Sequence, residues 1–376
     1  MTSKTVGDAL RVPSPSDSRQ TRPIREDEAG DLIATAARAP SVHNTQPWRF
    51  RLTDGSIEMF ADTRRQLRMD PDGRELLISC GAALFGLRLA VRSLGYLPVV
   101  ELLPALPRRR QLARVSLGAT APITEGERRM LNALPHRHTH RGPFAGAPLP
   151  DGLLAALQHD ARAEGAMLAV IDPASSDYLQ LGEIASAAAR RGDLDPWARA
   201  EVRRWRRAAD SRARDGVPAR AFAAGAFPDQ AGRRRGRLRQ RDFDLGRGMG
   251  LLTADGPPAA ATAVLITRGD SQADWMRAGQ ALHRLLAHAA DRWVFASLYT
   301  QPLEDATTRA LIRDRLRLPG PPHMLLQFGA AQTTQATARR PPSEVREPAR
   351  RPSAPGAHHG PRRAPPPVPS AVPENP

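Results

Sequence analysis

The sequence predicts an α+β fold, and three observations carry that prediction. Hairpin signals alternate with helix-linked strands, where a parallel sheet would show regular strand–helix repetition. One helical stretch, about 73–94, is apolar over so wide a surface that it belongs at the centre of a core. The second part of the chain repeats, in outline, the helix-and-strand grammar of the first, which hints at duplication.

The elements follow in order. Asp27–Ala39 reads as a helix, with Leu32, Ile33, Ala36 and Ala37 as its apolar stripe, ended by Pro40. Trp48–Leu52 and Ser56–Phe60 read as paired strands about the turn Asp54-Gly55. Asp72 is the expected cap of the long helix 73–94, and Gly95 closes it. Val99–Leu103 and Leu112–Leu117 follow as strands. Thr124 and Glu127 form a capping box for a helix to about Leu134. Beyond this, Pro150–Arg162 is helical and Ala166–Ile171 a strand. Asp172–Gly250 opens with helices at Tyr178–Arg190 and Asp195–Asp210. It then turns Gly- and Arg-rich, the signature of a surface excursion or lid. Strand Thr262–Thr267, helix Asp274–Ala290, strand Val294–Tyr299, helix Glu304–Leu316 and strand His323–Phe328 complete the series.

The chain has 376 residues, 41% of them hydrophobic, enough for one large domain or two ordinary ones. Residues 1–24 and 346–376 lack apolar periodicity and are expected to be disordered tails, the latter rich in Pro, Arg and Ala. The formal charge is +16, but Lys4 is the sole lysine and the arginines are spread along the chain. Only Arg233–Arg241 is dense, and it reads as a solvated loop. With aromatics at 5%, a stacking platform is missing, which argues against nucleic acid as a partner. The single cysteine, Cys80, excludes an internal disulfide and reads as a core residue. No stretch is read as approaching the roughly 20 apolar residues of a membrane span, and no signal pattern opens the chain. A cytoplasmic location is expected. Dinucleotide fingerprint, phosphate loop and nucleophile elbow are all missing from the sequence.

Two motifs carry chemistry. Pro40-Ser-Val-His-Asn-Thr-Gln-Pro-Trp48 joins a helix end to a strand start, with a proline near each end. Ser41, His43, Asn44, Thr45 and Gln46 make it polar as well as rigid. Such a loop suits an edge-on grip of a heteroaromatic ring, or serves only as a well-capped turn. The second motif is Arg137-His-Thr-His-Arg141. If it is extended, Arg137, Thr139 and Arg141 share a face and could clamp a phosphate. His136, His138 and His140 would share the opposite face. Three imidazoles can hold zinc, but no carboxylate or fourth ligand stands nearby, and no metal is expected. A plain basic strand is the remaining reading.

Ala39-Pro-Ser-Val-His-Asn-Thr-Gln-Pro-Trp-Arg-Phe50 resembles the flavin loop of the FMN-dependent nitroreductase family. The resemblance implies that Pro40, Ser41 and Asn44 contact FMN, with Gln46 and Trp48 structural. Arg137-X-Thr-X-Arg141 is similar to the family's phosphate clamp, which implies phosphate binding by Arg137, Thr139 and Arg141. Arg339-Arg340 resembles the basic pair that completes phosphate binding. The clamp here follows the ring loop, whereas in the family it comes first. That order resembles the double-length, Acg-like branch, as do Asp70–Ala83, Ala273–Gln280, Gln301–Leu303 and Pro322–Gly329.

This resemblance implies a three-layer nitroreductase-like fold of two fused halves, 25–135 and 136–345, packed as an intrachain pseudo-dimer around an antiparallel-rich sheet. A lid-like excursion spans 172–250, and one FMN lies between the halves. It implies NADPH or NADH as electron donor and a small-molecule acceptor, nitroaromatic or quinone-like, with no catalytic side chain required. The alternative it carries is a non-catalytic protein that stores FMN under the lid. The chain would be a monomeric pseudo-dimer or a homo-oligomer.

Overall fold

The computed structural model describes residues 22–104, 110–142, 144–221, 238, 259–331 and 336–347. Of the expected tails, residues 1–21 and 348–376 lie outside the described residues, as does the Arg233–Arg241 run except Leu238. The expected disorder is corrected at the tail edges: the Ile24 amide donates to the Gly55 carbonyl at 2.8 Å with its side chain in the core, and 346–347 pair with Phe50.

The first half runs α1 (Glu26–Ala36), β1 (Trp48–Thr53), β2 (Ser56–Ala61), α2 (Arg74–Ser93), β3 (Tyr96–Leu102), β4 (Gln111–Thr120) and α3 (Glu125–Ala133). Its strands form an antiparallel sheet in the order β1-β2-β4-β3. The second half begins with α4 (Leu153–Ala163) and β5 (Ala166–Ile171). It continues through α5 (Ser176–Leu194), α6 (Pro196–Trp205) and the short parallel pair β6 (Arg206–Arg207) and β7 (Val217–Pro218). Then come β8 (Ala261–Thr267), α7 (Gln272–Asp291), β9 (Val294–Tyr299), α8 (Gln301–Glu304), α9 (Ala306–Arg315), β10 (Pro322–Ala330) and α10 (Pro342–Val345). Its antiparallel sheet has the order β5-β8-β10-β9.

The two orders are one order. In each half a helix precedes two strands, a 20-residue helix follows, and the last strand inserts beside the second. The halves differ where the first two strands connect. Asp54-Gly55 suffices in the first, both residues at positive φ (49° and 67°), whereas residues 172–260 intervene in the second. The expected single sheet is therefore corrected to two, because each half closes its own four strands.

Between the sheets lie α2 and α7. Leu77, Leu84, Leu87 and Val91 of α2 pack with Ile57, Met59 and Val115 of the first sheet. Ala281, Leu285 and Ala289 of α7 pack with Leu168, Leu265 and Leu326 of the second. The helices touch through glycines: a Cβ on Gly81 would stand 2.2 Å from the Met276 carbonyl oxygen, and one on Gly279 2.0 Å from that of Ile78. Each glycine is the eighth residue of its helix. Only a residue without a Cβ permits so close a crossing. A fourth layer, α5 and α9, covers the outer face of the second sheet through Leu181, Ala185 and Ile312 against Val264, Ile266 and Leu325.

Local chemistry sets the boundaries. Thr124 and Glu127 make the expected capping box, at 3.2 and 2.8 Å. The cap of α2 is a correction: Asp70, not Asp72, accepts from the Glu75 and Leu76 amides at 3.1 and 2.9 Å. Gly73 at φ 73° turns the chain so that the earlier aspartate reaches. The expected helix 304–316 is divided, because Asp305 caps α9 with 2.7 Å to the Thr308 amide. The membrane reading is also amended. Arg74–Ser93 is long and apolar enough to cross a bilayer, but 94% of its most apolar window is buried in this core.

Residues 336–347 run back over the first half. Arg346 bridges Phe50, the Glu347 amide donates to the Phe50 carbonyl at 2.7 Å, and Val345 joins the first core.

Candidate functional site

A cleft of about 890 Å³, open mouth included, is bordered by the 40–43 loop, α2, residues 139–141, α7 and residues 298–302. Pro40 and Ser41 from one motif line it together with Thr139 and Arg141 from the other. The fold thus joins two stretches that are about a hundred residues apart in the chain.

The loop after α1 is shaped by its own hydrogen bonds. His43, Asn44 and Gln46 have φ of 49°, 55° and 50°, uncommon for residues with a side chain. Ser41 Oγ accepts from the Gln46 amide at 2.9 Å. Gln46, wholly buried, donates from Nε2 to the Arg214 carbonyl at 2.7 Å and accepts from the Arg340 amide at 2.8 Å. Its expected structural role is therefore visible: it pins the loop to the 172–221 excursion and to the C-terminal stretch. Asn44 is outside the cleft lining. Its Nδ2 donates to the carbonyls of Gly216 and Ala338, both at 3.0 Å, and its Oδ1 accepts from Arg339 Nη1 at 3.0 Å.

The second motif lies along β9. Thr139 bridges Ala296, and the His140 amide donates to the Ala296 carbonyl at 2.9 Å. His136 stacks on Trp293 with ring centroids 5.5 Å apart, His138 on Phe295 at 4.7 Å and His140 on Phe144 at 4.8 Å. The alternation of the sequence is thus met by aromatic partners, although His140 also borders the cleft. Burial pushes the His138 imidazole down to about 4.

Behind Arg141 stands Arg137, buried at 4% exposure. Its Nη2 donates to the Arg38 carbonyl at 3.2 Å, while Nε and Nη1 are buried with no hydrogen-bond partner. Burial, and then the like charges of Arg339, Arg141 and Arg38, hold its guanidinium well below the usual arginine range. Burial also lowers Arg141 and Arg339 to about 10. Arg339 Nε is likewise buried and unpartnered. Burying the unpartnered N–H groups of Arg137 and Arg339 is costly, and together with Arg141 they offer donors and charge that suit a phosphate dianion. Arg340 is placed differently: it bonds Glu344, with Nη2 2.5 Å from the carbonyl and Nε 3.4 Å from Oε2. Of the two adjacent arginines, the structure brings only Arg339 to the cluster.

Sequence reading missed Glu75, Ser79, Tyr299 and Gln301, which also line the cleft. Glu75 looks like any acidic residue in a first helical turn, and the other three become neighbours only through the fold. Among the described residues, no group of three or more His, Cys, Asp or Glu side chains could hold a metal ion.

No family model matches the chain. It is 33% identical over 302 residues to "Putative NAD(P)H nitroreductase Rv3131" of Mycobacterium tuberculosis, covering 80% of this chain and 84% of that protein. It is 28% identical over 330 residues to "Putative NAD(P)H nitroreductase acg" of the same organism, covering 86% and 96%. The chain belongs to this Acg-like nitroreductase family. Among solved structures, a nitroreductase with bound FMN from Desulfitobacterium hafniense matches at a TM-score of 0.36 and 12% identity, over 57% of this chain and 95% of that one. The FMN-dependent nitroreductase NfnB of Mycobacterium smegmatis, in complex with NADPH, matches at 0.35 and 14%, over 60% and 99%.

Proposed function

We propose that this chain binds FMN in the cleft between its halves and uses it to pass electrons from NADPH or NADH to a nitroaromatic or quinone-like acceptor. One observation carries the reading. The Pro40-Ser41 turn and Thr139-Arg141 line a single cleft, and Arg137 and Arg339 near Arg141 keep buried guanidinium N–H groups with no hydrogen-bond partner among the described residues. Arg137, Arg141 and Arg339 would hold the phosphate, with Thr139 beside them. Pro40 and Ser41 would border the ring, where Ile78, Leu282 and Met324 supply apolar wall. The bound flavin supplies two-electron chemistry, and the protein orients it and excludes water.

One further point supports turnover over storage: the relatives named above carry reductase names. The repeated strand order supports descent from a fused pair, with halves at 25–135 and 136–345, and with one site because the halves contribute different parts. In the second half the link between α4 and β5 is only Glu164-Gly165, too short to form a second loop like 40–47.

The test is direct. Purified protein, reconstituted with FMN if needed, is mixed anaerobically with NADPH or NADH. Bleaching of the flavin is expected; a protein without flavin affinity would overturn the reading, and bound flavin that stays oxidised would favour storage.

A further inference from the structure

The excursion that leaves the second half after β5 reaches the ring-side loop of the first half. We propose that Asp215, in that excursion, is a positioning residue for the flavin loop. It holds Arg65 on the Thr45 carbonyl, and the turn that carries it fixes the loop's shape and so how long flavin stays bound. The proposal rests on the flavin reading above.

The loop needs support from outside itself. His43, Asn44 and Gln46 all have positive φ, and such backbone persists only where its surroundings over-determine it. Within the loop, the Asn44 and Thr45 amides donate to the Ser41 and Val42 carbonyls at 3.0 and 2.9 Å. The turn Arg214–Gly216 adds three bonds. Its Arg214 carbonyl accepts from Gln46 Nε2 at 2.7 Å and its Gly216 carbonyl from Asn44 Nδ2 at 3.0 Å. The Gly216 amide donates to the Asn44 carbonyl at 3.3 Å. Gly216 makes the turn possible: its φ is 71°, and a Cβ there would stand 2.5 Å from the Trp205 carbonyl oxygen.

Asp215 fastens this turn. Its Oδ1 accepts from Arg207 Nη2 at 2.7 Å, and its Oδ2 accepts from Arg65 Nη1 at 2.9 Å. The same Arg65 nitrogen donates to the Thr45 carbonyl at 2.9 Å. One carboxylate thus links the excursion to the ring-side loop through a guanidinium of the first half. Both guanidinium groups also lie over the Trp205 ring, 5.9 and 5.8 Å from its centroid. Trp205 is itself buried and donates from Nε1 to Glu201 at 2.9 Å. Glu201 in turn accepts from the Arg68 amide at 2.6 Å, which docks α6 on the segment before α2.

The latch is placed to act on the cleft. Pro40, Ser41, Val42 and His43, the start of the same loop, line it. Asp215, Arg65 and Arg207 keep 21–23% of their side-chain surface exposed. Water therefore reaches this network, and it opens locally without unfolding the core.

Asp215→Asn tests this, since it keeps the shape and removes the charge that both arginines share. In the flavin-free protein, hydrogen exchange should quicken at the Asn44, Thr45, Gln46 and Gly216 amides by about 10-fold, the scale of two partly exposed ion pairs. Exchange in α2 and α7 should not change, and the urea midpoint should barely move. In the loaded protein, FMN should dissociate about 10-fold faster. Asp215→Glu keeps the charge and should restore both rates. Arg65→Met should reproduce the effect, and D215N added to R65M should take it no further. Unchanged exchange at those four amides, or faster exchange spread through α2 and α7, would overturn the assignment, as would a loosened loop that releases FMN at the parental rate. If the parent takes up no FMN, the flavin reading fails, and the exchange arm still decides whether Asp215 holds the loop.

Discussion

Asn44 accepts a hydrogen bond from Arg339 at 3.0 Å across 295 residues of sequence, and the same side chain donates to Gly216 and Ala338. One amide thus fixes a phosphate-side arginine, the excursion and the C-terminal stretch against the ring-side loop. Resemblance implied that Asn44 touches flavin, so its replacement would disturb the ring. The geometry moves the expected effect to the phosphate end. Asn44→Ala should weaken FMN by about 1.5–3 kcal/mol, the scale of a hydrogen bond to a charged group. Its effect should be non-additive with Arg339→Ala, with a coupling of roughly 0.5–3 kcal/mol. Titration of the four proteins of that cycle with FMN measures this; strictly additive losses would contradict it.

Arg137 makes a prediction of opposite signs. Its unpartnered Nε and Nη1 are a cost to the flavin-free fold and an asset to an anion. Arg137→Met should stabilise the flavin-free protein by about 1–4 kcal/mol, as when a buried charge gives way to a packed apolar group. It should also weaken FMN by about 1.5–3 kcal/mol. Inorganic phosphate should raise the thermal midpoint of the parent and leave that of R137M nearly unmoved. Urea unfolding and thermal melts with and without phosphate read all three effects.

These two residues show what the sequence could and could not disclose. The elements were legible because hydrophobic period, turn dipeptides and caps are local: Asp54-Gly55, Thr124 with Glu127 and the 73–94 stretch are all found as read. The two motifs were legible as motifs. Their meeting in one cleft was not, since it depends on α2 and α7 crossing at Gly81 and Gly279. The direction of Asn44, the separation of Arg339 from Arg340 and the place of Glu75 depend on tertiary packing that no local pattern encodes. The Asp70 cap was missed for a smaller reason: Gly73 at positive φ lets an aspartate four residues before the helix reach its first turn.

The buried histidines set an acid limit. Burial lowers His138 and His323 to about 4 and His283 to about 3. The unfolded chain binds these three protons near pH 6.5, the folded chain only near pH 3–4. The sign follows: the unfolded state holds more protons throughout that window, so stability is full above about pH 6.5 and falls as the pH drops toward 4. Each histidine contributes up to about 1.4 kcal/mol per pH unit. His323→Asn should flatten the slope of urea stability against pH by about one proton. An unchanged slope would show that His323 is not buried neutral.

The last prediction concerns the junction of the halves. Glu164, at the C-terminal end of α4, accepts from Arg88 of α2 at 2.6 Å and from Arg284 of α7 at 3.2 Å. Arg284 also reaches Asp160 at 2.8 Å, and Arg88 reaches Gln280 at 2.7 Å. All five side chains are buried, so the carboxylate offsets charge from both central helices at once. Glu164→Gln keeps the shape and removes that charge, which leaves Arg284 with Asp160 and Arg88 with only the uncharged Gln280 among the contacts described. The expected loss is about 3–5 kcal/mol, the range for a broken buried pair. Glu164→Gln with Arg88→Met should recover much of it, because the second change removes the cation that was stranded. A double variant no more stable than E164Q would mean that Arg284 alone, and not the link between α2 and α7, depends on Glu164.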